Sequence, residues 1–159
     1  MKKSFWIYLI LTISIMVGIF CFSAQTGEKS SVISEGMTKK VVVEERGVDI
    51  PKNEYDDKFE FVETIIRKSA HFLIFTALGF CVYMTLYSSG KMNKKSVLCI
   101  ISLLICIIYA STDEIHQLFV SERSGELRDV LIDSGGSFVG IFIALILQKI
   151  RKKTKTNKV

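Results

Sequence analysis

The chain has 159 residues, 49% of them hydrophobic, a single proline and a formal charge of +5. Its mean hydropathy of +0.36 is too apolar for a disordered chain, and its length leaves room for one domain rather than a multi-domain enzyme. The basic excess lies mostly at the ends of hydrophobic runs, which points to a membrane and away from nucleic acid.

A bilayer core takes roughly 17 to 25 residues of apolar helix. Four runs approach or reach that length, residues 5–24, 70–87, 96–111 and 130–147, and they predict an all-α, four-span membrane protein. The first run follows Lys2 and Lys3, as a signal peptide would. A cut after Ala24 would place bulky Phe22 at a position that wants a small residue, and Ile19 and Phe20 are too large to precede Cys21 in a lipoprotein signal. An uncleaved first span is the expectation.

The connection at 25–69 is long, polar and broken once by Pro51. Ile33, Met37 and Val41 recur at i, i+4 and i+8, the stripe of an amphipathic helix that would lie on a membrane surface. A second helix is predicted from Asn53, read as its N-cap, with Asp56 and Asp57 in the first turn and Phe59, Val62 and Ile66 on its apolar face. It is free to continue into the second span. After the fourth span, the tail at 148–159 is basic.

Charge sets the orientation, because cytoplasmic flanks collect Lys and Arg. Lys2 and Lys3, then Lys91, Lys94 and Lys95, then the basic tail lie at one boundary, in segments that hold no acidic residue. Every Asp and Glu falls between Glu28 and Glu63 or between Asp113 and Asp133. Both termini are expected in the cytoplasm and two connections outside.

Polar residues gather at the outer boundary. Arg67 and His71, Asp113 and Gln117, and Asp129 and Asp133 are three i, i+4 pairs, with Glu114 and His116 on faces beside the second and Arg123 in the connection before the third. One reading is structural: such groups cap helices, pair and anchor a bundle. The other is a polar pocket, in which Arg67 and Arg123 suit bidentate capture of a phosphate or carboxylate. There His71 could exchange a proton, and the carboxylates could act as acid, base or cation ligands. Burying Asp133 within a span calls for a partner, with Arg67, Arg123 and His71 as candidates.

Other chemistries are poorly supported. Glu114-x-His116 is not a zinc helix motif, so no metal or cofactor is expected. No serine lies in a nucleophile elbow, and Cys21, Cys81, Cys99 and Cys106 read as small buried hydrophobes. Ser134, Gly135, Gly136, Ser137 and Gly140 form a small-residue face, with Gly136 and Gly140 assigned to helix packing and Gly79 as a counterpart on the second span. Packing within the chain and a homodimer would use that face equally well.

Phe22-Ser23-Ala24-Gln25 after the first run, Arg67-Lys68-Ser69-Ala70-His71-Phe72, and Asp113-Glu114-Ile115-His116-Gln117-Leu118-Phe119 followed by Arg123, Asp129 to Asp133, Gly136 and Gly140 together resemble the VanZ-like membrane proteins. The resemblance covers nearly the whole chain. It departs where relatives often carry Glu-Tyr and this chain has Ile74 and Phe75, and where they carry Pro-Gly and it has Ser121 and Glu122. It implies a bacterial cytoplasmic-membrane protein of the cell envelope, one relative being associated with lowered teicoplanin susceptibility, and it implies no mechanism. Two functions remain open. The first is a non-enzymatic protein whose outer pocket holds a lipid head group or lipid-linked cell-wall intermediate through Arg67, Arg123 and His71. The alternative is a hydrolase or transferase acting on such a lipid through Asp113, Glu114, Asp129 and His71.

Overall fold

The computed structural model describes residues 3–24, 52–92, 94–120 and 125–156, with side chains for all of these except 52–60, 63 and 151–156. Among the described residues there are four helices and no strand: α1 (Lys3–Ser23), α2 (Lys52–Ser89), α3 (Lys95–Gln117) and α4 (Leu127–Thr156). Lys3–Ser23, Thr64–Ser89, Lys95–Gln117 and Leu127–Ile150 are each long and apolar enough to cross a bilayer. The all-helical, four-span expectation holds.

The boundaries differ from the sequence reading in instructive ways. The third span was expected to stop at residue 111, but α3 continues to Gln117, so Asp113, Glu114 and Gln117 sit on the helix rather than past it. Nothing in Thr112 to Gln117 breaks a helix, and those three side chains are buried. Helix α2 already includes Lys52, which places Asn53 inside the helix instead of at its cap. It then runs unbroken into the second span, and α4 carries the expected tail in helical form as far as Thr156. The stripe at Ile33, Met37 and Val41 lies outside the described residues.

Helix α2 touches all three others and packs most extensively on α4. That pair is close because small residues face backbone. A Cβ added to Gly136 would overlap the carbonyl of Phe72, one on Gly140 would overlap that of Thr76, and one on Gly79 would overlap that of Ser137. This is the close approach that small-xxx-small faces permit in lipid, where packing rather than the hydrophobic effect joins helices.

Apolar contacts fill the interior in two groups. Ile19, Phe75, Leu78, Val82, Cys106 and Ala110 form one, nearer the polar cluster described below. Tyr83, Met84, Leu98, Ile141 and Ala144 form the other. Trp6, Ile10, Leu73, Ile108, Phe138 and Phe142 are exposed, as the outer face of a bundle solvated by acyl chains must be. Cys81 and Cys106 are buried as expected and Cys99 is half-buried, but Cys21 is exposed; all four are free thiols.

Hydroxyls inside the spans find local acceptors, since lipid offers none. Thr12 donates to the carbonyl of Tyr8 at 2.8 Å, Ser102 to that of Leu98 at 2.7 Å, and Ser134 to that of Val130 at 2.6 Å. Tyr109 reaches across to the carbonyl of Met16 at 2.5 Å and ties α3 to α1. Helix α2 ends at Gly90, whose φ of 68° reverses the chain into the segment carrying Lys91, Lys94 and Lys95.

Candidate functional site

The end of α1, the middle of α2, the end of α3 and the start of α4 meet at one end of the bundle, and their polar residues meet with them. Asp113 is the junction of α1 and α3. Its Oδ2 accepts from the Ser23 hydroxyl at 2.7 Å and from Gln117 Nε2 at 3.2 Å. Gln117 Nε2 also donates to Glu114 Oε1 at 3.1 Å. The other Glu114 oxygen accepts the backbone N–H of Glu126 at 3.0 Å, fastening the connection before α4 to α3. Gly125 permits this approach: a Cβ there would stand 2.6 Å from the Glu114 carbonyl oxygen.

Helix α2 supplies the basic side chains. Lys68 Nζ lies 2.7 Å from Asp129 Oδ1 and 3.4 Å from Glu126 Oε2. One turn deeper, His71 Nδ1 lies 3.7 Å from Asp133 Oδ2. Of the three candidate partners for Asp133, the structure brings up His71. Asp133 is fully buried, at 0% exposure. At 3.7 Å the imidazole and the carboxylate face each other without a hydrogen bond, and neither Asp133 oxygen has a hydrogen-bond partner among the described residues.

These side chains enclose a small cavity lined by Arg67, Lys68, His71, Glu114, Gln117, Asp129, Ile132 and Asp133. Its free volume of about 10 Å³ is close to the space one water molecule needs. Arg67 is exposed at the rim and makes no ion pair among the described residues. Directly beside it runs an open apolar groove of about 450 Å³, lined by Thr64, Ile65, Lys68, Ser69, Phe72, Leu73 and Ile132. Lys68 and Ile132 belong to both spaces.

Of the residues expected at a polar pocket, six line the cavity: Arg67, His71, Glu114, Gln117, Asp129 and Asp133. Asp113 stands behind it, bonded to Ser23 and Gln117. Arg123 lies outside the described residues. His116 turns away and stacks on Phe20 with ring centroids 4.6 Å apart. No group of three or more His, Cys, Asp or Glu residues among those described has the arrangement of a metal site.

Sequence reasoning passed over Ser23, Lys68, Gly125 and Glu126 as site residues. Lys68 was within reach, since it precedes His71 by three residues and shares its helical face. Ser23 stands in the Phe22-Ser23-Ala24-Gln25 motif, but its bond to Asp113 follows only from where α1 ends. Replacing Ser23 by alanine removes a buried hydrogen bond to a carboxylate and is expected to cost about 1.5–3 kcal/mol. Thermal unfolding of the detergent-solubilised variant measures this, and an unchanged midpoint would detach Ser23 from the cluster.

Neither the curated proteins nor the solved structures yield a match to this sequence. The family model described as VanZ/LLP1 matches residues 5–148, a stretch that contains all four spans and every residue of the polar cluster. The chain therefore belongs to the VanZ/LLP1 family.

Proposed function

We propose that this family member is a non-enzymatic protein of the bacterial cell envelope that holds the head group of a membrane lipid, or of a lipid-linked cell-wall intermediate, at the outer face of the cytoplasmic membrane. The observation that carries the reading is the adjacency of an apolar groove and a polar cavity sharing Lys68 and Ile132. A lipid is a molecule of that shape: an acyl or prenyl chain for the groove, a charged group for the polar wall. Arg67, exposed at the rim and free of any acidic partner among the described residues, is the group best suited to a phosphate, with Lys68 beside it.

Two further features support the reading. Both Glu114 oxygens and one oxygen of Asp113 accept hydrogen bonds, from Gln117, the Glu126 amide and Ser23, which ties these side chains into the wall of the cavity. The lysine-rich segments lie at the opposite boundary, so the positive-inside rule puts the cluster outside and both termini in the cytoplasm. At that face the protein would alter the presentation of surface lipids, a route by which teicoplanin susceptibility would change.

The test is native mass spectrometry of the protein purified in mild detergent. A phosphorylated lipid is expected on the wild type and on Lys91→Ala, which alters the other boundary, and is expected to be lost from Arg67→Ala. Equal retention by all three would mean that the cluster is structural.

A further inference from the structure

The head-group reading leaves one feature unexplained, the charge of the cavity. Arg67, Lys68 and His71 face the carboxylates of Glu114, Asp129 and Asp133 directly, with Glu126 on Lys68 and Asp113 behind. A bare phosphate diester entering this site would meet more negative charge than positive. The deepest carboxylate is also the least satisfied: Asp133 is fully buried, lines the cavity, and accepts no hydrogen bond at either oxygen from the described residues. A buried carboxylate in that state requires a donor.

The free space beside it fits one water-sized group. A primary ammonium group has that size, carries a positive charge and offers three hydrogen-bond donors. The same wall already accepts one such group, because Lys68 Nζ rests 2.7 Å from Asp129. A hydroxyl has the size without the charge, and a trimethylammonium has the charge without the size or the donors.

Resting on the head-group reading above, we infer that the ligand is a phospholipid bearing a primary amine, with its ammonium group in the cavity against Asp133 and Asp129. Its phosphate lies at Arg67 and Lys68 on the rim, and one acyl chain lies in the groove along Ile65, Phe72 and Leu73. The three parts of the lipid thereby meet three adjoining surfaces of matching character. The site selects among lipids by the amine, while Arg67 supplies affinity common to every phosphate-bearing head.

The experiment titrates delipidated full-length protein in detergent with phosphatidylethanolamine, phosphatidylcholine and phosphatidylglycerol of identical chains, read by native mass spectrometry. Phosphatidylethanolamine is expected to bind about tenfold more tightly than the other two, a preference worth about 1.4 kcal/mol. Asp133→Asn, nearly isosteric, is expected to erase the preference and keep the weaker common binding, whereas Arg67→Ala weakens all three. Should Asp133→Asn not fold, Asp129→Asn takes its place with the same expectation. Equal binding of the three lipids to wild type, or a preference that survives both Asp133→Asn and Asp129→Asn, overturns the amine assignment and leaves the head-group reading standing. Binding that ignores Arg67→Ala as well overturns both.

Discussion

Gly140→Val is expected to destabilise the bundle by about 3 kcal/mol or more, at the upper end of what overpacking costs. The reason is the identity of the neighbours. A Cβ at residue 140 overlaps the Thr76 carbonyl and stands 2.8 Å from the Phe80 nitrogen, and backbone cannot swing aside as the end of a flexible side chain does. Helices α2 and α4 would have to separate, and this is the most extensive packing between the described helices. The same separation would draw His71 away from Asp133 and open the cavity. Gly18 is the matched control, since nothing lies within 4 Å of a Cβ added there; Gly18→Val should fall within about 0.5 kcal/mol of wild type. Thermal or denaturant unfolding in micelles compares the two, and a Gly140→Val protein as stable as wild type would show that the α2–α4 approach is not required.

His71→Ala is expected to cost about 1–3 kcal/mol, the penalty for taking away the polar group that faces a buried carboxylate. Asp133 has no exposure to solvent, and the His71 ring at 3.7 Å is the basic group that faces it. Truncating the histidine strands the carboxylate, so most of the cost comes from what is left behind. Asp133→Asn in the His71→Ala background should therefore recover about half of the loss or more, giving the strong non-additivity of groups in direct interaction. Additive costs for the two changes would mean that the residues do not act as a pair.

The fold was legible because membrane solvation writes itself into sequence at the scale of whole helices. Four apolar runs separated by charged segments have few alternative arrangements, and the glycines at 136 and 140 announced a close contact whose partners, Phe72 and Thr76, only the structure supplies. Helix ends were less legible. The third span was expected to stop at residue 111 because Asp113 and Glu114 look like the end of an apolar run, yet their faces are buried and bonded across helices.

The site was partly legible for the same reason. Spacing of i, i+4 identifies residues on one face of one helix, so Arg67 with His71 and Asp129 with Asp133 were within reach. Contacts between helices follow from rotation and depth, which spacing does not encode. Ser23 on Asp113 and Lys68 on Asp129 are contacts of that kind. The apolar groove escaped notice because Ile65, Phe72 and Leu73 look like any lipid-facing residues until Lys68 is seen to border both spaces.

Occupancy of the polar cluster by a lipid head group is open to direct measurement through the two histidines of the chain. His71 lines the cavity, whereas His116 stacks on Phe20 outside it. With histidine selectively labelled with nitrogen-15, the ring resonances of both are followed by NMR while a short-chain phosphatidylethanolamine is added to the protein in micelles. A saturable shift of the His71 ring nitrogens, with His116 unmoved and the response lost in Arg67→Ala, is the predicted result. Unshifted His71 resonances at saturating lipid, or equal shifts at both histidines, would contradict it.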